Sequence, residues 1–543
     1  MFPTLLPCRI TLAAGIATVL AMLALAPPVA GSNPGSVPRF ERSACPIQFP
    51  LRLTVDCGVL TVPENRVKDN GRTVRLPVAI VRTDNPSPAP DPIVYVTGGP
   101  AFNEIDVFSA EFFTSLPFAK KRDFILYNQR GVGFSDPRLG CDEFDDIREA
   151  TFPVDPTPDQ YLVSVAKCRD RLAGQGIDLD AYNSAEDAAD LRDLRIALGY
   201  SEWNVYTLSA GGVIALTAMR LYPGGIRSVI LDSAFGTQYE IRGPDVWRPQ
   251  NRTLEMVFVG CAANAACNAA YPRLRTRFYD RVHALRLNPI VLNFKILGGG
   301  TVAFTIDGDQ LLINAAGCTD PFCAPTLPGW MDMAAKGDVA GFFAHLVGGP
   351  LGPPLPNDPI LSEGKTGVFH CHDYIAFEPD SELVQAAREL PEFRVALLTL
   401  RFIYVPSNTE QACQVWRVGR AEFEQHRPVT SAIPALVLTG EWDNNVSPLH
   451  DEKIASTLSN SFFFQFPGIG HVTLFSGLSG NGNCPARIAG EFIDAPTRAP
   501  HSGCIATMSD LNFTPPSAGF SEYSSGLHRD PRQIDSPLQH KPR

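Results

Sequence analysis

Three residues, far apart in a chain of 543, have the types and the order that acyl transfer needs: Ser209, Asp443 and His471. A serine hydroxyl is a poor nucleophile at neutral pH. An imidazole must therefore take its proton, and a carboxylate must hold the imidazole's tautomer and orientation. Ser209 lies in Thr207-Leu208-Ser209-Ala210-Gly211-Gly212, one glycine short of G-x-S-x-G, the sharp turn that exposes a serine Oγ between a strand and a helix. Asp443 follows the apolar run ALVLTGE, and His471 follows SFFFQFPGIG. All three stand just past strand-like segments, so they can converge at one end of a sheet. The developing oxyanion needs two backbone N–H donors. One candidate is Gly99 in TGGPAFN, where glycine lets the chain approach closely. The other is Ala210, the residue after the nucleophile.

Other residues suit the chemistry less well. Asp232 ends a core-type strand and could supply the acid of a rearranged triad. His370, Cys371, His372 and Asp373 have metal-ligand side chains, but alternation along an extended chain would send neighbours to opposite sides. No metal and no cofactor is expected. His450, His501 and His528 read as solvated, and Glu104 as surface, with substrate contact as its alternative.

The elements that must carry these residues are legible in the hydrophobic pattern. LRLTVDCGVLTVP and RTVRLPVAIVR read as paired strands joined by the turn KDNG. PIVYVTGGP, RDFILYNQRGVGFSDP, WNVYTLSAGG and IRSVILDSA are short apolar runs closed by Gly, Pro or Ser, as in parallel strands buried on both faces. SAEDAADLRDLRIALGY reads as a helix with Ser184 as N-cap and Asp187 completing the capping spacing. The order Ser, Asp, His and the β/α alternation together predict an α/β-hydrolase fold, a mostly parallel sheet with helices on both faces. Its expected parts are a signal peptide over 1–31, core segments over 40–235 and 434–510, an inserted cap over 236–433, and a disordered tail over 511–543.

Composition bounds the function. With 45% hydrophobic and 19% charged residues the chain has material for a large core, and a net charge of −11 disfavours nucleic acid and anionic lipid as partners. Gly 44 and Pro 48 are aperiodic, which points to turns and loops and not to collagen-like repeats. Arg9, an apolar stretch from Ile10 to Ala26, Pro27-Pro28 and then small residues follow the order of a secretory signal peptide. The stretch is also marginal for an uncleaved anchor, and export follows on either reading; no stable membrane span is expected after cleavage. Removing Cys8 with the signal leaves an even set of cysteines, consistent with an oxidising compartment. Counting alone cannot give their connectivity. Proximity suggests Cys45 with Cys57, Cys141 with Cys168, Cys261 with Cys267, Cys318 with Cys323, Cys371 with Cys413 and Cys484 with Cys504.

Several of these segments together resemble the secreted tripeptidyl aminopeptidase-like α/β-hydrolases, relatives of proline iminopeptidases. VYVTGGPAFN is similar to their Gly-Gly-Pro loop, LYNQRGVGFSDP to their D-Q-R-G-x-G-x-S segment, and EDAADLRDLRIALGYSEWNVYTLSAGG to their helix and nucleophile elbow. GEWDNNVSP and GIGH resemble the acid and histidine segments. The resemblance implies Ser209 as nucleophile, Asp443 as acid, His471 as base, and Gly99 and Ala210 as oxyanion donors. Four positions depart from it: Thr97 for histidine, Ala101 for glycine, Asn128 for aspartate and Thr207 for the elbow glycine. The implied activity is an exported aminopeptidase working through an acyl-enzyme on short peptides. Alternatives are an esterase on small esters with the same triad, and a degenerate hydrolase fold used for binding.

Overall fold

The central strands are mostly apolar because both of their faces are covered. The computed structural model describes residues 37–99, 102–107, 112, 116–151, 157–295, 300–348, 362–399, 409–476, 483–513 and 515. The strands of the main sheet are β1 (Arg39–Arg42), β2 (Val55–Pro63), β3 (Thr73–Val81), β4 (Ile93–Val96), β5 (Phe124–Tyr127), β6 (Trp203–Leu208) and β7 (Ile226–Asp232). A small hairpin, β8 (Ile290–Lys295) with β9 (Thr301–Ile306), comes next, and β10 (Ala435–Gly440) and β11 (Ser461–Phe466) complete the main sheet. Among the described residues this sheet has nine strands in the order β1-β2-β3-β5-β4-β6-β7-β10-β11. The first four in that order pair antiparallel, and every pairing from β5 onward is parallel. This is the predicted α/β-hydrolase architecture.

Alternation along the strands divides the core in two. Val94, Val96, Val205, Val229 and Val437 face one layer, which contains the helices Ser184–Ala197 and Gly211–Leu221. Ile93, Tyr95, Tyr206, Ile230 and Leu436 face the other, closed by the helix Cys484–Asp494.

The 236–433 stretch packs in two places. The helices Pro244–Ala263, Leu274–Leu287 and Gly308–Gly317, with Leu383 and Leu397, build a hydrophobic core of their own. The helices Glu363–Asp373 and Glu410–Trp416, stapled by Cys371–Cys413, instead place Val368, Phe369 and Trp416 in the core on one face of the main sheet. Lys365, fully buried, pairs there with Asp187 at 2.6 Å.

Several expectations change. The N-cap of the helix Ser184–Ala197 is Asn183, whose Oδ1 accepts Glu186 N–H at 3.0 Å; Ser184 turns its hydroxyl to Asp373 instead, at 2.9 Å. His370 to Asp373 are helical and not extended, because the Cys371 bridge and the buried Phe369 seat that helix on the core. The tail begins later than residue 511, since Phe513 is buried against Trp442, with ring centroids 5.7 Å apart. Residues 1–36, with the expected signal peptide and Cys8, and residues 514 and 516–543 lie outside the described residues. Among the described residues no helix is long and apolar enough to cross a membrane, and the six disulfides are those that proximity suggested.

Candidate active site

β6 runs into the helix Gly211–Leu221 through Ser209, whose φ of 49° is a left-handed conformation that few non-glycine residues adopt. Three backbone bonds hold it. Ser209 N donates to Asp232 O (3.1 Å), and Ser209 O accepts from Gly212 N (3.0 Å) and Phe235 N (2.8 Å). The turn also needs bare neighbours: a Cβ on Gly211 would fall 2.3 Å from Thr97 O, and one on Gly98 would fall 2.7 Å from Ser209 Cβ. Thr207 is accommodated because its hydroxyl donates to Val96 O at 3.0 Å, in space that Gly211 leaves open.

Asp443 follows β10 and is wholly buried. Its Oδ1 accepts Asn445 N–H (2.8 Å) and Val446 N–H (2.7 Å), which leaves Oδ2 for His471 Nδ1 at 2.9 Å. With the proton on Nδ1 directed at the carboxylate, Nε2 is left as the basic nitrogen. Burial acts to lower the imidazole pKa, but the charge and hydrogen bond of Asp443, with Asp232 behind, outweigh it and hold His471 above its ordinary value. Gly440 lets the two loops meet, since a Cβ there would lie 2.2 Å from Gly470 O. Ser209 and His471 are brought to the same strand end: Ser209 N bonds Asp232 O, and the residues after His471 bond the Asp232 carboxylate.

Gly99 (φ 55°) follows Gly98, the residue packed on Ser209, and Ala210 heads the helix Gly211–Leu221. The chain on both sides of Gly99 is braced by the residues that follow β5: Gln129 Nε2 donates to Thr97 O (3.3 Å), and Asn128 Nδ2 to Asn103 Oδ1 (2.8 Å) and Glu104 Oε2 (3.1 Å). Pro100 and Ala101, within the same loop, lie outside the described residues. Glu104 is buried and not on the surface. Burial pushes its carboxyl up to about 8, so it is neutral at pH 7 and offers no charge to a ligand.

Among the described residues none of the remaining candidates bonds the imidazole of His471. Asp232 gives its carboxylate to the backbone beyond His471 and leaves the imidazole Nδ1 to Asp443. His450 is largely buried and not solvated: its Nε2 accepts Gly236 N–H at 3.0 Å, because the strand end after β7 must satisfy that donor. His501 is exposed beside Glu491, and His528 lies outside the described residues. Among the described residues the one group with metal-ligand spacing is Cys141, Glu143 and Cys168, whose two sulfurs form a disulfide. Sequence reasoning did not find the amides of Asn445 and Val446 or the contact of Pro321, in the Cys318–Cys323 turn, with Gly470, where a Cβ would fall 2.5 Å from Pro321 Cδ. No local pattern signals either.

Residues 91–286 match the family model of the alpha/beta hydrolase fold, and residues 403–497 that of the TAP-like protein. The tripeptidyl aminopeptidase of Streptomyces coelicolor is 27% identical over 271 residues, 47% of this chain and 49% of that protein; the Streptomyces lividans enzyme of the same name aligns equally. The chain thus spans about half the length of these curated relatives. The Escherichia coli protein YuaR is 21% identical over 442 residues, 78% of this chain and 83% of that protein. A proline iminopeptidase from Mycobacterium smegmatis superposes with a TM-score of 0.35 at 15% identity, covering 81% of this chain and 98% of that structure. The sheet order and the strand-to-helix elbow are those of an α/β-hydrolase fold, and over the matched segments the chain is similar to tripeptidyl aminopeptidase-like α/β-hydrolases.

Proposed function

We propose that the protein is an exported serine hydrolase that releases short peptides or single residues from peptide N-termini through an acyl-enzyme. The observation that carries this reading is the 2.9 Å bond between His471 Nδ1 and a buried Asp443, set beside the left-handed Ser209 turn. In the reaction His471 Nε2 takes the Ser209 Oγ proton as Oγ attacks the acyl carbon, and Gly99 and Ala210 N–H groups receive the oxyanion. The proton then passes to the leaving amine, and water repeats the sequence to free the acyl product.

The preference for chain ends rests on the 236–433 stretch. Its own core reaches the acid and histidine loops through Arg252, which donates to Asp443 O (3.0 Å), Asn444, which donates to Gly317 O (3.1 Å), and Pro321 on Gly470. We infer that this stretch roofs the site, and a roofed cleft admits a chain terminus more easily than the middle of a folded polypeptide. The test compares free and N-acetylated short peptide anilides: loss of the ammonium should slow cleavage at least ~10-fold, about 1.4 kcal/mol of transition-state binding. Equal rates would remove the aminopeptidase reading. Turnover of acyl esters without any peptide cleavage would favour an esterase on the same residues.

A further inference from the structure

Asp232 bonds to the nucleophile turn and to the histidine loop at once. Its carbonyl accepts Ser209 N–H at 3.1 Å. Its carboxylate, wholly buried, accepts Thr473 N–H (2.7 Å) and the Thr473 hydroxyl (2.8 Å) on Oδ1, and Leu474 N–H (3.1 Å) on Oδ2. The next residue adds a fourth tie, Val472 N–H to Ser233 Oγ at 3.0 Å. Ser233 (φ 50°) and Val472 (φ 63°) are both left-handed, a conformation that a β-branched residue keeps only where its surroundings enforce it. On the other side of His471, Ile469 O accepts Trp442 N–H at 2.7 Å. The histidine is thus suspended between the acid turn and the end of β7.

The short helix Thr473–Ser476 begins at these donors; a helix start needs only acceptors, and neutral ones serve. A buried carboxylate is a costly choice for that task unless a positive charge faces it. Among the described residues no Lys or Arg pairs with Asp232. The groups that face it are the hydroxyl of Tyr206 at 3.4 Å, Tyr95, the carboxyl of Asp451 and the imidazole of His471, on whose far side Asp443 sits. The one cation in that set forms when His471 accepts the serine proton.

We propose that Asp232 is a positioning residue of the active site: through Ser209 on one side and Thr473 and Leu474 on the other, it sets the spacing of the Ser209 hydroxyl and the His471 imidazole and places a second negative charge behind that imidazole. The inference rests on the Ser209, His471 and Asp443 reading above and deepens it. The proton still moves from Ser209 Oγ to His471 Nε2, and Asp232 gains and loses nothing. Its own carboxyl is pushed up by burial, against the Leu474 and Thr473 donors, to about 6, so it is charged in the range where a neutral His471 acts as base.

The test is the rate at which a fluorophosphonate probe labels the full-length chain as a function of pH, for the wild type, Asp232→Asn and Thr473→Val. In this reaction Ser209 Oγ bonds to phosphorus, fluoride leaves and His471 takes the proton, so alignment is read without reference to the natural substrate. Asp232→Asn should label ~10- to 100-fold more slowly, the size expected of a misplaced reacting pair. Its acid limb should also move to lower pH, because the imidazolium loses a stabilising charge. Thr473→Val removes one tie and keeps the charge, so it should slow labelling without moving the limb. A wild-type rate with an unmoved limb in Asp232→Asn would overturn the proposal. Should that variant fail to fold, a wild-type rate in Thr473→Val would do the same. A folded wild type that takes no label would instead remove the triad reading itself.

Discussion

His471 shows how two opposed effects settle one residue's chemistry. Burial would weaken the base, while Asp443 at 2.9 Å, with Asp232 behind, strengthens it by more in sum, so the imidazole titrates above its ordinary value. A base must be neutral to act, so the acid limb of kcat/KM should lie above about 6.5, the unperturbed histidine value. Asp443→Asn should move that limb to lower pH and cut kcat by on the order of 10⁴; a pH–rate profile of the two proteins checks both. Glu104 makes the opposite case, a carboxyl buried beside Asn128 and pushed up to about 8. The folded chain keeps a proton there that the unfolded chain releases near pH 4.3. Stability is therefore lost as pH rises from about 4.3 to about 8, by on the order of a few kcal/mol, and no further above that. Glu104→Gln cannot ionise, so its thermal midpoint relative to wild type should rise between pH 5 and pH 8.

The elbow works because its neighbours lack side chains. Gly98 and Gly211 let the end of β4, the Ser209 turn and the helix Gly211–Leu221 approach to distances that a Cβ would forbid, while Thr207 fills the remaining space and bonds Val96 O. Gly98→Ala sets a methyl carbon 2.7 Å from Ser209 Cβ, in a loop that Gln129 and Asn128 brace from behind and that cannot easily retreat. We expect at least ~100-fold slower peptide or ester turnover, with a thermal midpoint that falls far less than that loss would imply, because displacement of a reacting atom by about an ångström costs that much. Turnover within a few-fold of wild type would show that the loop yields.

For the molecule as a whole, the disulfides tie down the margins of the sheet and both parts of the inserted stretch. Cys45–Cys57 fastens the chain before β2 to that strand, Cys371–Cys413 joins the two inserted helices that pack on the core, and Cys318–Cys323 closes the turn that touches Gly470. Mass spectrometry of the non-reduced chain, freed of the segment bearing Cys8, should find no alkylatable thiol. At ~2–4 kcal/mol for a typical bridge, full reduction should lower the unfolding midpoint sharply. Several free thiols in the folded, oxidised protein would remove the export reading with it. Reduction should also lower turnover at temperatures where the sheet is still folded, because the Cys318–Cys323 turn sits directly on the histidine loop.

Local signals were strong where one residue or one short period decides the outcome. Apolar runs in β4, β6 and β10 are readable because burial on both faces favours apolar side chains and admits a polar one only where it finds a hydrogen bond. The serine elbow and the Ser, Asp, His order are readable because each member must follow a strand, and the cysteines because nearby partners close small loops. Contacts between distant segments left no such trace. Lys365 with Asp187, Ser184 with Asp373 and Asp232 with Thr473 join residues 178, 189 and 241 positions apart, and each looks like an ordinary polar residue in its own neighbourhood. His450 and Glu104 look solvated in sequence for the same reason, since burial of a single polar group depends on what folds over it. The division of the 236–433 stretch between a separate core and the main sheet is likewise a matter of which apolar faces meet. Periodicity states that a face is apolar, and packing in three dimensions chooses its partner.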